Sequence, residues 1–139
     1  MTAGLGRFVE AQRSTYEGAL RELAAGTKRS HWMWWIFPQI AGLGRSPTAR
    51  HYAIRDAIAA RGYLSHPVLG ERLMECTEAM LGWSGRKSGE AILGSIDALK
   101  FRSSMTLFDA VTDEADNRFA RALAAFCHGD RDPLTLDRL

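Results

Sequence analysis

The chain reads as an all-α domain, and three observations predict it. Apolar residues recur at helical spacing and not in alternation. Serine, aspartate and proline at helix starts, with glycine at helix ends, punctuate the sequence from end to end. The 139 residues, 46% hydrophobic and 24% charged, have an ordinary globular composition. A chain of this size buries roughly two-thirds of its unfolded surface and needs no staple. It is read as one domain over residues 1–139, with about seven or eight helices, several too short to be stable alone.

The elements follow in order. Ser14 and Glu17 have the Ser-x-x-Glu form of a capping box, and Tyr16, Leu20 and Leu23 follow at helical spacing until Gly26. Ser46-Pro47 is an N-cap with proline in the first turn, opening a helix expected to bury Ala49, Tyr52 and Ala53. Asp56 caps a short helix carrying Ile58 and Leu64. His66-Pro67 starts the clearest amphipathic helix, with Leu69, Leu73, Cys76 and Met80 on one face and Glu71, Glu75 and Glu78 on the other. After a loop from Gly82 to Gly89, Ser88 is the next cap and Gly94 a stop. Ser95 is expected to cap a long helix from Ile96 to about Val111, and Asp113 another that buries Ala115, Phe119, Ala122, Leu123 and Phe126. Asp132-Pro133 begins a final turn containing Leu134 and Leu136.

Several function classes lose weight at this level. Cys76 and Cys127 are the only cysteines, both on or beside apolar helix faces, and no CxxC or Cys/His cluster exists, so no metal site is assigned. Arg7, Glu10 and Arg13 interrupt any signal-peptide run, and the longest apolar stretch, Trp32 to Phe37, is far short of a membrane span. A cytoplasmic protein without a membrane partner is expected. Residues 1–61 carry nine Lys/Arg against four Asp/Glu, and the rest carry nine against twelve. The positive excess surrounds the aromatic run.

Four features carry the chemistry. The first is Lys28-Arg29-Ser30-His31-Trp32-Met33-Trp34-Trp35. Each buried indole needs an N–H partner, so three tryptophans in four positions are either a core plug or the wall of a pocket flanked by Lys28, Arg29 and His31. If the run is helical, His31 and Trp34 share one face and Lys28, Trp32 and Trp35 another. The second is Gly42-Leu43-Gly44-Arg45-Ser46-Pro47, either a plain loop or a set of backbone N–H groups and arginines (Arg45, Arg50) for an anion. It has no preceding strand and lacks the third glycine of a dinucleotide fingerprint.

The third feature is Lys100. On a helical wheel Ile96, Leu99, Leu107, Phe108 and Val111 form an apolar arc into which Lys100 projects, with Asp97 three residues before it and Ser103 and Ser104 after it. Arg102 and Asp109 fall on the opposite side, expected to be solvated. A lysine on such a stripe must pair, snorkel or lose its charge. It is either a structural partner of Asp97 or an anion-binding, proton-transferring group in a pocket. The fourth is His66, which caps or packs at a helix start unless it serves as a ligand or general base.

The run Lys28 to Gln39, continuing through Gly42-Leu43-Gly44, Tyr63-Leu64-Ser65-His66-Pro67-Val68-Leu69-Gly70 and Leu99 to Phe108, resembles the bacterial and fungal proteins grouped as domain of unknown function 1810. The similarity spans about Phe8 to Leu136, and Trp-Met-Trp before Phe-Pro-Gln is its specific signal. Trp35 stands where that pattern has phenylalanine. The resemblance implies a single, mainly α-helical domain and carries over no catalytic residue.

The leading functional expectation is binding, with turnover as its extension, of a small phosphate-bearing or nucleotide-like ligand. Trp32 or Trp34 would stack on a ring, while Lys28, Arg45, the Gly42–Ser46 loop, Lys100, Ser103 and Ser104 would hold negative charge. His31 and Lys100 are the candidate acid–base groups. No cofactor is named by these residues. A nucleic-acid-binding module is disfavoured because the cations are scattered over several helices. An interaction domain presenting the tryptophans to a protein partner is the remaining class.

Overall fold

The computed structural model describes residues 4–139. Among these residues ten helices follow one another: α1 Gly6–Arg13, α2 Tyr16–Ala24, α3 Met33–Ile36, α4 Pro47–His51, α5 Ala57–Ser65, α6 Leu69–Leu81, α7 Gly89–Leu93, α8 Ser95–Ala110, α9 Arg118–Phe126 and α10 Pro133–Leu136. Among the described residues there is no strand, only one isolated parallel bridge between Ile40 and Ile54. No helix there is long and apolar enough to cross a membrane.

The helix count exceeds the expected seven or eight for two reasons. Helix α1 has no side-chain cap, and its buried positions include the polar Gln12, which hides the period begun by Leu5 and Phe8. Helix α3 has four residues, fewer than two turns, and presents no periodicity to read.

Some boundaries also move. Thr15, not Ser14, precedes α2, and no side chain caps it. The Thr15 hydroxyl instead donates to the Ala11 carbonyl at 2.6 Å and accepts from the Trp35 indole at 2.9 Å. Asp113 to Asp116 are exposed turn residues, so Ala115 is not in the core. Asn117 caps α9, its side-chain oxygen accepting from Ala120 N. Ser95 lies inside α8, behind Gly94. Tyr52 and Ala53 are half-buried, and Ile58 is exposed. The caps at Ser46, Asp56 and Ser88 are made as expected. His66 acts as a cap through its ring: Nδ1 accepts from Val68 N at 3.1 Å and Leu69 N at 3.2 Å, and α6 begins just beyond it.

Two long helices organise the packing. Helix α8 packs on α5, α7, α9 and α10, while α6 packs on α2, α3, α5 and α9. The core includes two strings of aromatic rings. One runs Tyr52–Phe8–Tyr63–Phe108–Phe119, with successive centroids 5.8, 5.3, 5.5 and 5.8 Å apart. The other runs Trp32–Phe37–Phe101–Phe126, at 6.4, 5.0 and 6.0 Å. Helix α8 supplies Phe101 to one string and Phe108 to the other, so its orientation is fixed at both points. Edge-on and offset pairs of this kind add to the burial of the rings themselves.

Buried Gln12 ties the short helices together. Its amide nitrogen donates to the Trp35 carbonyl at 2.7 Å and the Tyr63 hydroxyl at 3.1 Å, and its oxygen accepts from Arg72 at 3.4 Å. Helices α1, α3, α5 and α6 meet at this side chain. A buried amide with every pairing group satisfied fixes one arrangement of its neighbours.

Candidate functional site

The aromatic run is not one helix. Residues 28–32 are not helical, and α3 begins only at Met33, so the expected common faces do not form. The three tryptophans divide. Trp32 is 2% exposed and belongs to the core. Its indole N–H donates to Glu22 Oε1 at 2.9 Å, and the same carboxylate accepts from Arg29 N, Ser30 N and the Ser30 hydroxyl at 2.7, 3.0 and 2.6 Å. Burial by itself would raise the pKa of Glu22. The donors from Ser30, Arg29 and Trp32 outweigh it and hold the carboxyl down at about 2. Trp35 is half-buried and held by Thr15. A stacking role for Trp32 is therefore corrected: both faces are packed in protein. Trp34 is the half-buried member whose ring reaches open space.

That space is a groove of about 460 Å³ between the loop after α3, the first turns of α8 and the segment leading into α10. Trp34, Leu43, Ile96, Leu99 and Leu134 give it apolar walls, and Lys100, Ser103, Arg102 and Asp132 give it polar ones. Ile96, Leu99 and Leu134 are 71%, 64% and 63% exposed, which puts three of the largest exposed apolar side chains on one feature. The wheel expectation that Ile96 and Leu99 face the core is corrected. The core face of α8 is Phe101, Ser104, Met105, Leu107 and Phe108.

Lys100 is fixed in this groove. Its ammonium lies 3.9 Å from the centre of the Trp34 ring and 3.3 Å from Asp97 Oδ1. Lys28 takes the other oxygen of Asp97 at 2.9 Å, donates to the Ser30 carbonyl at 2.6 Å and stands 5.0 Å from the Trp32 ring centre. One carboxylate is thus shared by two ammonium groups. Burial would raise the pKa of Asp97, but Lys28 and then Lys100 hold it below its usual value. The trio carries one positive charge in excess, with Lys28 nearly enclosed at 9% side-chain exposure and Lys100 at the groove wall.

The opposite wall is held from the chain end. Arg102 donates to the carbonyls of Asp130 and Arg131 at 2.7 and 2.8 Å. Asp132 accepts from Ser103 at 3.0 Å and Thr135 at 2.6 Å, while its own N–H donates to Thr106 at 3.0 Å. Asp109, expected in solvent, is nearly enclosed and pairs with Arg131 at 2.6 Å. Four polar side chains of α8 therefore clamp the terminal segment and set the groove's width.

The remaining candidates separate. Gly44 lies at the groove, where a Cβ would fall 2.5 Å from that of Ala49, so the loop comes closer to α4 than any other residue permits. Gly42, at φ +98°, lines a smaller adjoining cleft. Arg45 and Ser46 are exposed and line neither space; Ser46 is used as the cap of α4, accepting from Ala49 N at 3.1 Å. His31 is exposed and lines neither. Ser104 is fully buried with no hydrogen-bond partner for its hydroxyl among the described residues, on the core side of α8. Of the expected set, Trp34, Gly44, Lys100 and Ser103 come together, with Lys28 behind them. Sequence reasoning missed Gln39 and Leu43, in the loop after α3, and Asp132 and Leu134, which the return of the chain end brings to the groove.

Fold and groove define a small helical domain with a cation-on-tryptophan site. The chain belongs to the family described as Protein of unknown function (DUF1810), whose model matches residues 2–139. It is similar to the conserved hypothetical protein Rv1873 from Mycobacterium tuberculosis, whose crystal structure at 1.38 Å shares 46% identity. That match has a TM-score of 0.92 and covers 97% of this chain and 95% of the other. No curated protein gives a match.

Proposed function

We propose that the domain binds a small anionic ligand in the groove beside Trp34, with the negative group on Lys100 and a flat or apolar body against Trp34, Leu43, Leu99 and Leu134. The observation that carries this reading is the placement of Lys100. Its ammonium is held over an indole face at 3.9 Å, shares the Asp97 carboxylate with a second lysine, and stands in a groove of ligand size. The one excess positive charge of the trio, beside an apolar wall, recognises an anion more strongly than the same charge in open water. Ser103 and Gln39 supply neutral polar contacts at the same wall.

Phosphate-bearing and nucleotide-like compounds are the first class to test. A ligand present at about 100 times its dissociation constant adds about 2.7 kcal/mol to the stability of the folded state, which moves a melting midpoint by several degrees. A panel of nucleotides, sugar phosphates and pyrophosphate should give at least one such shift. Lys100→Met should then weaken that compound by about tenfold or more, with the fold retained because Lys28 still neutralises Asp97. Equal affinity in the wild type and Lys100→Met would remove Lys100 from the site and the reading with it.

A further inference from the structure

The groove has a neighbour. A cleft of about 140 Å³ shares Trp34, Gln39, Leu43 and Gly44 with it and is otherwise closed mainly by Ile40, Ala49, Tyr52 and Ala53. The shared wall makes the two spaces one site with a narrow compartment and a wide one. We infer that the narrow compartment receives a single flat heteroaromatic ring, so that the ligand of the proposed site is a ring carrying an acidic group, with the ring beside α4 and the acid at Lys100.

Size and chemistry both point there. An apolar cavity of about 150 Å³ accepts a benzene ring and stays dry when empty of it. The present compartment matches that scale, and its side-chain walls are carbon except for the Trp34 indole nitrogen, Gln39, the Tyr52 hydroxyl and Arg50. Arg50 is exposed on α4 and has no carboxylate partner among the described residues.

The backbone adds directional groups. Around the Ile40–Ile54 bridge, Ala41 N donates to the Ile54 carbonyl at 2.7 Å and Ile54 N donates to the Gln39 carbonyl at 2.8 Å. The next three residues, Gly42, Leu43 and Gly44, line the compartment, and their N–H groups have no partner among the described residues. Unpaired donors at the wall of an apolar slot match a ring with acceptor atoms at its edge, such as a purine or pyridine nitrogen or a carbonyl, better than a hydrocarbon ring. Gly44 packs closely on Ala49 at the wall of the slot. That contact limits the ring by shape, and the loop donors would orient it.

The inference rests on the proposed groove for its acidic half alone. The experiment therefore uses probes that carry one half each: adenosine, guanosine and nicotinamide as rings without an acid, and pyrophosphate as an acid without a ring. Backbone amide signals are followed in the wild type, in Ala53→Leu, which fills the compartment, and in Lys100→Met. At least one ring probe should shift the amides of Gly42, Leu43 and Gly44, and Ala53→Leu should weaken it by about tenfold or more while leaving pyrophosphate unchanged. Lys100→Met should do the reverse.

Ring probes that leave those three amides unmoved at millimolar concentration overturn the inference, and this measurement needs no variant to fold. Ring binding unaffected by Ala53→Leu overturns it as well. A silent pyrophosphate alongside a ring that moves the loop amides would sink the Lys100 reading and keep the ring compartment.

Discussion

The two ends of α8 are made of similar residues and are used in opposite ways. From Phe101 to Phe108 every residue except Arg102 is buried, Ser104 and Thr106 completely. One turn earlier, Ile96 and Leu99 stand in solvent at 71% and 64% exposure. Covering each would gain roughly 2 kcal/mol of apolar burial, and the fold leaves both open beside the Lys100–Trp34 pair. Apolar side chains grouped at one rim, next to a fixed cation, fit the ligand groove proposed above.

The largest expected effect breaks the buried end. Phe108 is fully enclosed and joins Tyr63 to Phe119 in the longer string of rings. Phe108→Ala should cost about 3–5 kcal/mol, measured by denaturant unfolding, because a cavity of ring size in a packed core collapses only in part. A loss under about 1 kcal/mol, the range of a surface change, would mean that the two ends of α8 do not differ as described.

A smaller effect concerns Trp32 and Trp34, which repeat the same contrast two residues apart. Glu22→Ala removes the acceptor of the enclosed Trp32 N–H and of three loop donors, and should cost about 1–3 kcal/mol. The carboxyl of Glu22 is depressed from an ordinary value near 4.5 to about 2. Its contribution is therefore complete above about pH 4.5 and lost as the pH falls toward about 2. Stability measured against pH should decline across that window in the wild type, and the decline should flatten in Glu22→Gln. An unchanged acid profile in that variant would show that Glu22 is not the charge anchoring the run.

Much of this architecture is legible in the sequence, and the illegible parts share a cause. The caps at Ser46, Asp56 and Ser88 and the buried face of α6 are local facts, set by a few neighbours along the chain, and they read correctly. The pairing of Asp97 with Lys100 is legible for the same reason, being one turn of helix. Lys28 joining that pair is not, because it arrives from a different segment. A helical wheel also carries no information about position along the axis. Ile96 and Leu107 fall almost together on it, yet Leu107 is enclosed and Ile96 is not. The groove's outer wall depends on Arg102, Ser103 and Thr106 holding residues 130–132, contacts between segments more than twenty residues apart. Trp32 and Trp34 differ for a similar reason: Glu22, on α2, supplies the partner that commits one of them to the core.

The smallest expected effect on stability is the one that sharpens the comparison most. Leu99→Ser changes an exposed residue that covers no buried surface, and should alter the unfolding free energy by no more than about 0.5 kcal/mol. If the rim of α8 is kept for a ligand, the same change removes part of the wall against which its body lies. Affinity for any compound found at the groove should fall, with the salt dependence set by Lys100 left as it was. Ile96→Ser should act in the same direction, and Ile58→Ser, an equally exposed residue on α5 that does not line the groove, should do nothing to binding. Calorimetry on the three variants at two salt concentrations separates the cases. A loss of stability well above about 1 kcal/mol would place Leu99 in the core after all. Unchanged affinity in Leu99→Ser and Ile96→Ser would leave the exposed end of α8 without a part in binding, and the ligand would have to be held by the Trp34 side of the groove alone.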